Sequence, residues 1–477
     1  MSFLSFVALV PLFFALDNKT LASTFRTGYF FGILFFGMIF YWFLFVSGIG
    51  MLLLVCALAV YMGIFAVGYH VFSKEKAIVK IFVLPSLWVC IEFLRAHLFS
   101  GFGWASIGHS QYQNIALIQI ADIVGVYGVS FIVVMVNVAI KEMLTDFQET
   151  KKQKIKMWLV VSILFCLCIG YGHYRIKNMT YTDSVKVAVV QGSVPQSRKW
   201  YPKEWPAILN DYFKLTQEAA STNPALIIWP ETAYPGYVWE DPKQFVDVQN
   251  FVKTMKIPLL VGIVTKEQES YYNSAVLIDL NGNLVKKHNK LHLVPFGEYV
   301  PLRDSLPWLV DILGIEDFST GTEYTLFSEY ERNDQKNSFG VLICFEDTVP
   351  ELSRAFVSKG ANFLVNITND GWFEDTKAPF LHMQAAVFRT VENRVPLVRS
   401  ANTGVSCFIN VLGQIKETVQ DSAGKMTYVP GVKTAEVKLT KKKALYTKFG
   451  DVFTYICFGI ILIYCFINGR AIFLAKH

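Results

Sequence analysis

Cysteine is scarce where it could form cross-links. Of eight cysteines, Cys56, Cys90, Cys166, Cys168, Cys457 and Cys465 lie inside apolar runs, leaving Cys344 and Cys407 in the polar middle of the chain. That distribution excludes a disulfide framework. Metal-ligand spacing is also missing: His70, His97, His109, His173, His288, His292, His382 and His477 form no paired motif with Cys or acidic neighbours. They read as surface or core residues, and no metal or other cofactor is called for. There is no glycine-rich phosphate loop, no basic patch interleaved with aromatics, no internal repeat and no low-complexity tract. The formal net charge is +6, yet the basic residues are scattered, and Lys151, Lys152, Lys154 and Lys156 sit between two hydrophobic runs. They read as a topology signal, and nucleic acid is not a partner.

What the chain has in excess is apolar sequence. Of its 477 residues 53% are hydrophobic, with a mean hydropathy of +0.37, too apolar for one soluble domain. The excess fills residues 1–175 and 452–474, whereas 184–440 mixes polar and apolar residues as a soluble domain does. Runs at Phe3–Leu16, Gly28–Val46, Met51–Phe72, Ile78–Phe99, Ile118–Ile140 and Met157–Tyr171 make about six candidate spans, and Val452–Leu474 adds a C-terminal one. A cleaved signal peptide is the rival reading of the first, although no basic residue precedes it and Pro11 interrupts it. Lys19 and Arg26, then Lys74 and Lys76, then the cluster from Lys151 mark alternate loops as cytoplasmic, which places the soluble section outside the cytoplasm. Within the apolar part, Glu92 and Arg95 share a helix face ahead of Gly101-Phe102-Gly103-Trp104. The bland reading is a structural ion pair; the functional one has Arg95 facing a phospholipid head group.

In the middle section, Lys186–Gln191, Ala225–Trp229, Pro258–Val264, Ser274–Ile278, Phe339–Cys344, Phe363–Ile367 and Leu397–Ser400 read as strands. Pro206–Ser221, Pro242–Met255, Thr348–Ser358 and Pro379–Asn393 carry helical spacing, and Asn281-Gly282-Asn283 is a hairpin turn. Strand and helix alternate as in an α/β domain.

Three segments in that section hold groups that together make an acyl-transfer machine. They are Trp229-Pro230-Glu231-Thr232, Asn289-Lys290-Leu291 through Phe296-Gly297-Glu298-Tyr299, and Cys344-Phe345-Glu346-Asp347. A thiol of ordinary pKa near ~8.5 needs activation to act as a nucleophile at about pH 7. Glu231 supplies a base. Lys290 supplies a cation that lowers the thiol pKa and holds an oxyanion, together with the backbone N–H of Phe345. Taken singly, Cys344 reads as an inert strand residue, Glu231 as a turn residue and Lys290 as a solvated one; their combination favours chemistry.

With these motifs the chain resembles the nitrilase, or carbon-nitrogen hydrolase, superfamily. It is more specifically similar to the apolipoprotein N-acyltransferase family, through residues 88–104, 119–137, 190–200, 229–234, 289–301, 344–346 and 366–373. The resemblance implies a polytopic helical membrane domain joined to an αββα sandwich, with Glu231, Lys290 and Cys344 as catalytic triad. Glu298 would assist the triad, Glu346 would support the nucleophile loop, and Trp200 and Trp372 would form a lipid entrance. It also implies a phospholipid acyl donor, a diacylglyceryl lipoprotein acceptor, a thioester intermediate, a monomer, and a place in the bacterial inner membrane with the catalytic domain on the periplasmic side. Gly103, Ser193 and Phe345 stand where the family usually has Pro, Asn and Tyr, and one span fewer than usual precedes the soluble section, as if a first helix were missing. Two alternatives stay open: a membrane-tethered hydrolase passing the acyl group to water, and a lipoprotein-binding or channel protein with an inactive enzyme domain.

Overall fold

The computed structural model describes residues 2–145, 150–238, 242–301, 317–328 and 337–474. The chain divides into two compact units, residues 1–179 with 444–477, and residues 180–443.

The first unit is helical. Its main helices are α1 (Val10–Leu16), α2 (Leu21–Ile39), α3 (Gly48–Phe72), α4 (Ala77–His97), α5 (Ala121–Leu144) and α6 (Lys151–Lys177). Hydroxyl side chains start three of them: Thr20 accepts from Ser23 N, Ser47 from Gly50 N, and Thr150 forms a capping box with Gln153. Among the described residues α3, α4, α5 and α6 are long and apolar enough to cross a membrane, and Ser2–Leu16 and Val452–Ile467 are shorter apolar helical stretches. The run expected at Gly28–Val46 lies largely in α2, whose first turns carry Ser23, Thr24, Arg26 and Thr27. Gly28 and Gly32, four residues apart, seat α2 against α3: a Cβ on Gly28 would lie 2.4 Å from the Ala66 methyl, and one on Gly32 2.7 Å from Ala59 Cα. Small residues at that spacing let two backbones approach where lipid offers no hydrophobic driving force.

Several charged groups inside this apolar unit are paired, which offsets the cost of burying a charge. Lys80 meets Glu142 at 2.7 Å, Lys141 meets Asp17 at 3.1 Å, and Arg175 meets Asp122 at 2.8 Å.

The second unit is a two-sheet sandwich with helices outside. One sheet runs β12-β1-β2-β3-β4-β5 and the other β11-β10-β9-β8-β7-β6. The strands are β1 (Asp183–Gln191), β2 (Leu226–Ile228), β3 (Leu259–Glu267), β4 (Ser270–Ile278), β5 (Leu284–Asn289), β6 (Leu326–Phe327), β7 (Phe339–Ile343), β8 (Phe363–Thr368), β9 (Leu397–Ala401), β10 (Cys407–Ile409), β11 (Ile415–Thr418) and β12 (Gly431–Leu439). In each sheet the central trio, β1-β2-β3 or β7-β8-β9, is parallel and the flanking strands are antiparallel. Side-chain alternation builds two cores from one strand set. Val185, Val187 and Val189 of β1 face inward and meet Val341, Ile343, Val365 and Ile367 of the opposite sheet. Ala188 and Val190 face outward against α7 (Trp205–Ala220) and α8 (Pro242–Met255), through Ile208, Tyr212, Val248 and Val252. On the other sheet, Gly340 lets Phe356 of α9 (Pro350–Ser358) lie flat, since a Cβ there would sit 2.4 Å from its ring. α10 (Ala378–Asn393) follows β8, and after β12 the chain returns to the first unit with α11 (Val452–Leu474).

The expected αββα class is therefore the observed one, and all seven expected strands are present. The others, β5, β6, β10, β11 and β12, are hairpin or edge strands, too short or too polar on one face to stand out as runs.

Candidate active site

Each of the three motif segments leaves a strand of the second unit. Glu231 follows β2 by a short turn, and Gly262 of β3 lets that turn cross closely: a Cβ at Gly262 would lie 2.2 Å from Pro230 O and 2.6 Å from Glu231 Cα. The Glu231 side chain is buried, at 6% exposure. One oxygen accepts from Asn273 Nδ2 at 2.7 Å and the other from the backbone N–H of Asn369 at 2.7 Å.

Lys290 comes one residue after β5 and is 1% exposed. Its ammonium lies 2.8 Å from Glu298 Oε1 and 3.6 Å from Glu231 Oε1, and 5.5 Å above the Phe345 ring. Burial pulls its pKa down, but Glu298, Glu231 and Cys344 overcome that and hold Lys290 above the ordinary lysine range. Asn273 ties the two carboxylates together, donating also to Glu298 Oε1 at 2.9 Å, and Glu298 Oε2 accepts from Val294 N at 2.8 Å.

Cys344 differs from expectation in two ways. It lies one residue beyond β7, at the head of a short turn Cys344–Thr348, with φ at +57°. That left-handed conformation is unfavourable for any residue with a Cβ and is a hallmark of strained functional turns. The thiol pKa is raised well above its ordinary value rather than lowered: burial and then Glu231 raise it, and Lys290 opposes them without prevailing. At rest the Cys344 sulfur therefore holds its proton.

Glu346 is fully buried and bridges two segments. Oε1 accepts from Leu291 N at 2.6 Å and His292 N at 2.9 Å, and Oε2 accepts from Ile343 N at 2.7 Å. Burial pushes its carboxyl up to about 7, against the pull of those N–H groups and of Lys290.

Trp200 and Trp372 remain 39% and 52% exposed. Arg95 belongs to the helical unit and is 2% exposed. Its guanidinium donates to Phe102 O at 3.0 Å and Trp104 O at 2.5 Å, while Glu92 accepts from Ile107 N at 2.7 Å. Together they pin the segment after α4 through backbone groups rather than as an ion pair with each other; the structure brings Glu231, Lys290, Glu298, Phe345, Glu346 and Cys344 together within the second unit, and Arg95 is not part of that unit.

Several groups at the site were not singled out from the sequence, although Lys199, Asn369, Asp370 and Asp347 lie within the motif segments quoted above. Asn273 sits mid-strand in β4, and Asn369 offers only its backbone. Lys199 is 2% exposed, donates to Glu231 O at 3.2 Å, and is held by burial down to about 7 although Glu231 and Cys344 pull it up. His382, Asp347, Asp370 and Arg399 form a buried ionic cluster behind the nucleophile turn. Among the described residues no group of His, Cys, Asp and Glu is arranged to hold a metal ion.

Comparison with known proteins covers both units. Residues 1–139 match the model of the apolipoprotein N-acyltransferase N-terminal domain, and residues 186–442 match the carbon-nitrogen hydrolase model. The chain is 36% identical to an apolipoprotein N-acyltransferase from Geobacter metallireducens over 95% of its own length and 88% of that protein's. It is 29% identical to one from Chlorobaculum tepidum, over 96% and 90% of the two chains. Among solved structures, a nitrilase-superfamily member from Saccharomyces cerevisiae is similar at 20% identity and a TM-score of 0.41, covering 54% of this chain and 91% of that one.

Proposed function

Because this chain belongs to the apolipoprotein N-acyltransferase family, we propose that Glu231, Lys290 and Cys344 carry the family's acyl transfer here. The protein is a membrane-associated acyltransferase of lipoprotein processing with a nitrilase-type catalytic unit. The supporting observation is the convergence of Glu231, Glu298 and Lys290 around Asn273, with the Cys344 thiol within electrostatic reach of Glu231 and Lys290.

The donor is a phospholipid. Glu231 takes the thiol proton as Cys344 sulfur adds to an ester carbonyl, and the Lys290 ammonium with the Phe345 N–H receives the oxyanion. Collapse breaks the ester C–O bond; the departing lysophospholipid oxygen takes the proton from Glu231, leaving a thioester on Cys344. The acceptor is the α-amino group of a diacylglyceryl-cysteine at a lipoprotein N-terminus. Its nitrogen adds to the thioester, Glu231 removes the amine proton, the C–S bond breaks, and the proton returns to sulfur. An amide and the free enzyme result, with ping-pong kinetics.

Glu298 keeps Lys290 in place, Glu346 joins the lysine and cysteine segments, and Trp200 and Trp372 offer exposed rings for acyl chains. The enzyme works as a monomer in the bacterial inner membrane with its catalytic unit on the periplasmic side, a reading supported by the alternation of lysines between apolar runs.

The test is Cys344→Ala against wild type, each given phospholipid vesicles with and without a diacylated lipopeptide. Wild type is expected to gain one acyl mass on Cys344 from phospholipid alone and to form triacylated lipopeptide when the acceptor is added; the variant does neither. Triacylation by Cys344→Ala would sink the mechanism, and free fatty acid as the sole wild-type product would restore the hydrolase alternative.

A further inference from the structure

The left-handed φ of Cys344 has to be held by something, because a Cβ-bearing residue there relaxes toward ordinary backbone unless its surroundings forbid it. The grip is on the Cys344 carbonyl oxygen. Asn366 Nδ2 of β8 donates to it at 2.9 Å, and His382 Nε2 of α10 lies 3.2 Å away. Asn366 is oriented in turn, since its side-chain oxygen accepts from Arg399. His382 is caught between two carboxylates, with Nδ1 3.0 Å from Asp370 Oδ1 and Nε2 3.0 Å from Asp347 Oδ1. Arg399 closes the ring, 2.7 Å from Asp347 Oδ2 and 3.3 Å from Asp370 Oδ2. All of these side chains are buried, none more than 1% exposed.

The tautomer of His382 follows from its neighbours. Nε2 faces two acceptors, the Cys344 carbonyl and Asp347, so it carries a hydrogen in both charge states. Only Nδ1 changes: protonated it donates to Asp370, and unprotonated it accepts from Arg399 Nη2 at 2.8 Å. The bond toward Cys344 O is therefore independent of the ring's charge.

A peptide unit is planar and trans, so the C=O of Cys344 and the N–H of Phe345 point in opposite directions from one rigid plate. Fixing the oxygen on one side fixes the hydrogen on the other. We propose that His382 is a positioning residue for the acyl transfer: through Nε2–H it locks the Cys344 carbonyl, and thereby aims the Phe345 N–H at the oxyanion. This rests on Cys344 being the residue that is acylated. His382 touches neither substrate nor sulfur in this scheme, and its effect belongs to the transition state, where the oxyanion exists, not to donor binding.

Two amide substitutions separate its nitrogens. Gln places an N–H near the position of Nε2, whereas Asn reaches only that of Nδ1. Acyl-enzyme formation on Cys344 from phospholipid vesicles is followed by intact mass in single turnovers over a range of donor concentrations, with thermal melting as the check on folding. His382→Asn is expected to lower the maximal acylation rate by about tenfold, roughly the loss of one directed hydrogen bond, at unchanged half-saturation. His382→Gln is expected to stay within about threefold of wild type, as a retained donor requires. Should either variant melt poorly, Asn366→Asp replaces the other donor on the same carbonyl by an acceptor and is expected to slow acylation at unchanged half-saturation. Equal rates for Asn and Gln at position 382, a change confined to half-saturation, or an unaffected Asn366→Asp would overturn the proposal. Wild-type protein that gains no acyl mass on Cys344 would instead overturn the nucleophile assignment beneath it.

Discussion

Replacing Glu346 by Gln probes how the nucleophile and the cation are held together. The carboxylate takes three backbone N–H bonds, two from the Lys290 segment and one from β7. A Gln keeps one oxygen. If that oxygen continues to serve Leu291 and His292, the new NH2 points at the Ile343 N–H, leaving one buried donor unsatisfied at a cost of ~1–3 kcal/mol. The Ile343 N–H belongs to the last residue before Cys344, and the other two immediately follow Lys290, so the cost falls on the relative placement of thiol and ammonium. Expressed wholly in the acylation barrier, at ~1.4 kcal/mol per factor of ten, it slows acyl-enzyme formation about 5- to 150-fold. Glu346→Ala orphans all three N–H groups, roughly 3–9 kcal/mol, which is comparable to the stability of a whole domain, and is expected to yield little folded protein.

The same carboxyl predicts a limb in the pH profile. Because burial pushes Glu346 up to about 7, it is ionised above that value and protonated below it. Protonation turns one acceptor oxygen into a donor facing a backbone N–H, the same defect as Gln. Wild-type acylation is therefore expected to fall as pH drops through about 7, and Glu346→Gln is expected to lack that limb while starting from the lower rate. The assay is single-turnover acylation of Cys344, read by intact mass between about pH 5.5 and 8.5 to bracket that pKa. A Gln variant that acylates at the wild-type rate, or keeps the wild-type acid limb, refutes the bridging role.

Lys199 gives the opposite limb: burial holds it down to about 7, so its charge is present below that pH and lost above it. Lys199→Met is expected to remove an alkaline fall in acylation rate and to lower the rate below pH 7 by about tenfold, a ~1.4 kcal/mol effect, checked in the same titration. Trp372, half exposed, is expected on replacement by Ala to raise the half-saturating phospholipid concentration severalfold while leaving the maximal rate within about twofold, because an acyl-chain contact far from the carbonyl binds substrate and transition state alike. Steady-state kinetics on vesicles of graded phospholipid content would show the opposite split if Trp372 acted on the chemistry.

Two of the three candidate catalytic residues, Glu231 and Cys344, were legible because each stands just past an apolar β run. Glu231 stands in the turn after Leu226–Ile228 and Cys344 directly after Phe339–Ile343, whereas Lys290 follows the polar strand Leu284–Asn289 and was picked out by the motif around it. Burial on both faces writes β2 and β7 into the sequence as continuous apolar runs, and the residue just past a parallel strand stands at the sheet edge. The supporting residues carry no such mark. Asn273 looks like any polar residue alternating outward in β4, and only the pairing of β4 with its neighbours turns it toward two glutamates. Asp347, Asp370, His382 and Arg399 are spread over two strand ends, a helix and a strand, and their mutual ion pairs exist only after the second sheet has formed. β12 was missed because it is an edge strand of mixed polarity, GVKTAEVKL, and its place beside β1, more than 200 residues away in the chain, leaves no local mark. What sequence pattern reports is local periodicity; what it cannot report is which polar side chain a distant strand will face.

Burial first, and then the charge balance around Lys290, explains why the thiol is raised rather than lowered. One ammonium faces two carboxylates, Glu298 at 2.8 Å and Glu231 at 3.6 Å. Ionising Cys344 to bulk solvent would bury a further negative charge beside Glu231, so the thiol holds its proton. Passing that proton to Glu231 leaves the total unchanged, which makes nucleophile activation an internal exchange between neighbours and favours attack concerted with proton transfer. The negative charge would also suit the proposed acceptor, an α-amino group that is cationic in water and must shed a proton before it can attack. Lys199, near its midpoint at neutral pH, offsets that charge as pH falls. A site with this balance admits an ammonium more readily than an anion, so Glu298→Gln should slow aminolysis of the preformed acyl-enzyme more for an acceptor that is cationic in water than for a less basic, neutral amine of the same shape; equal slowing of the two would refute it.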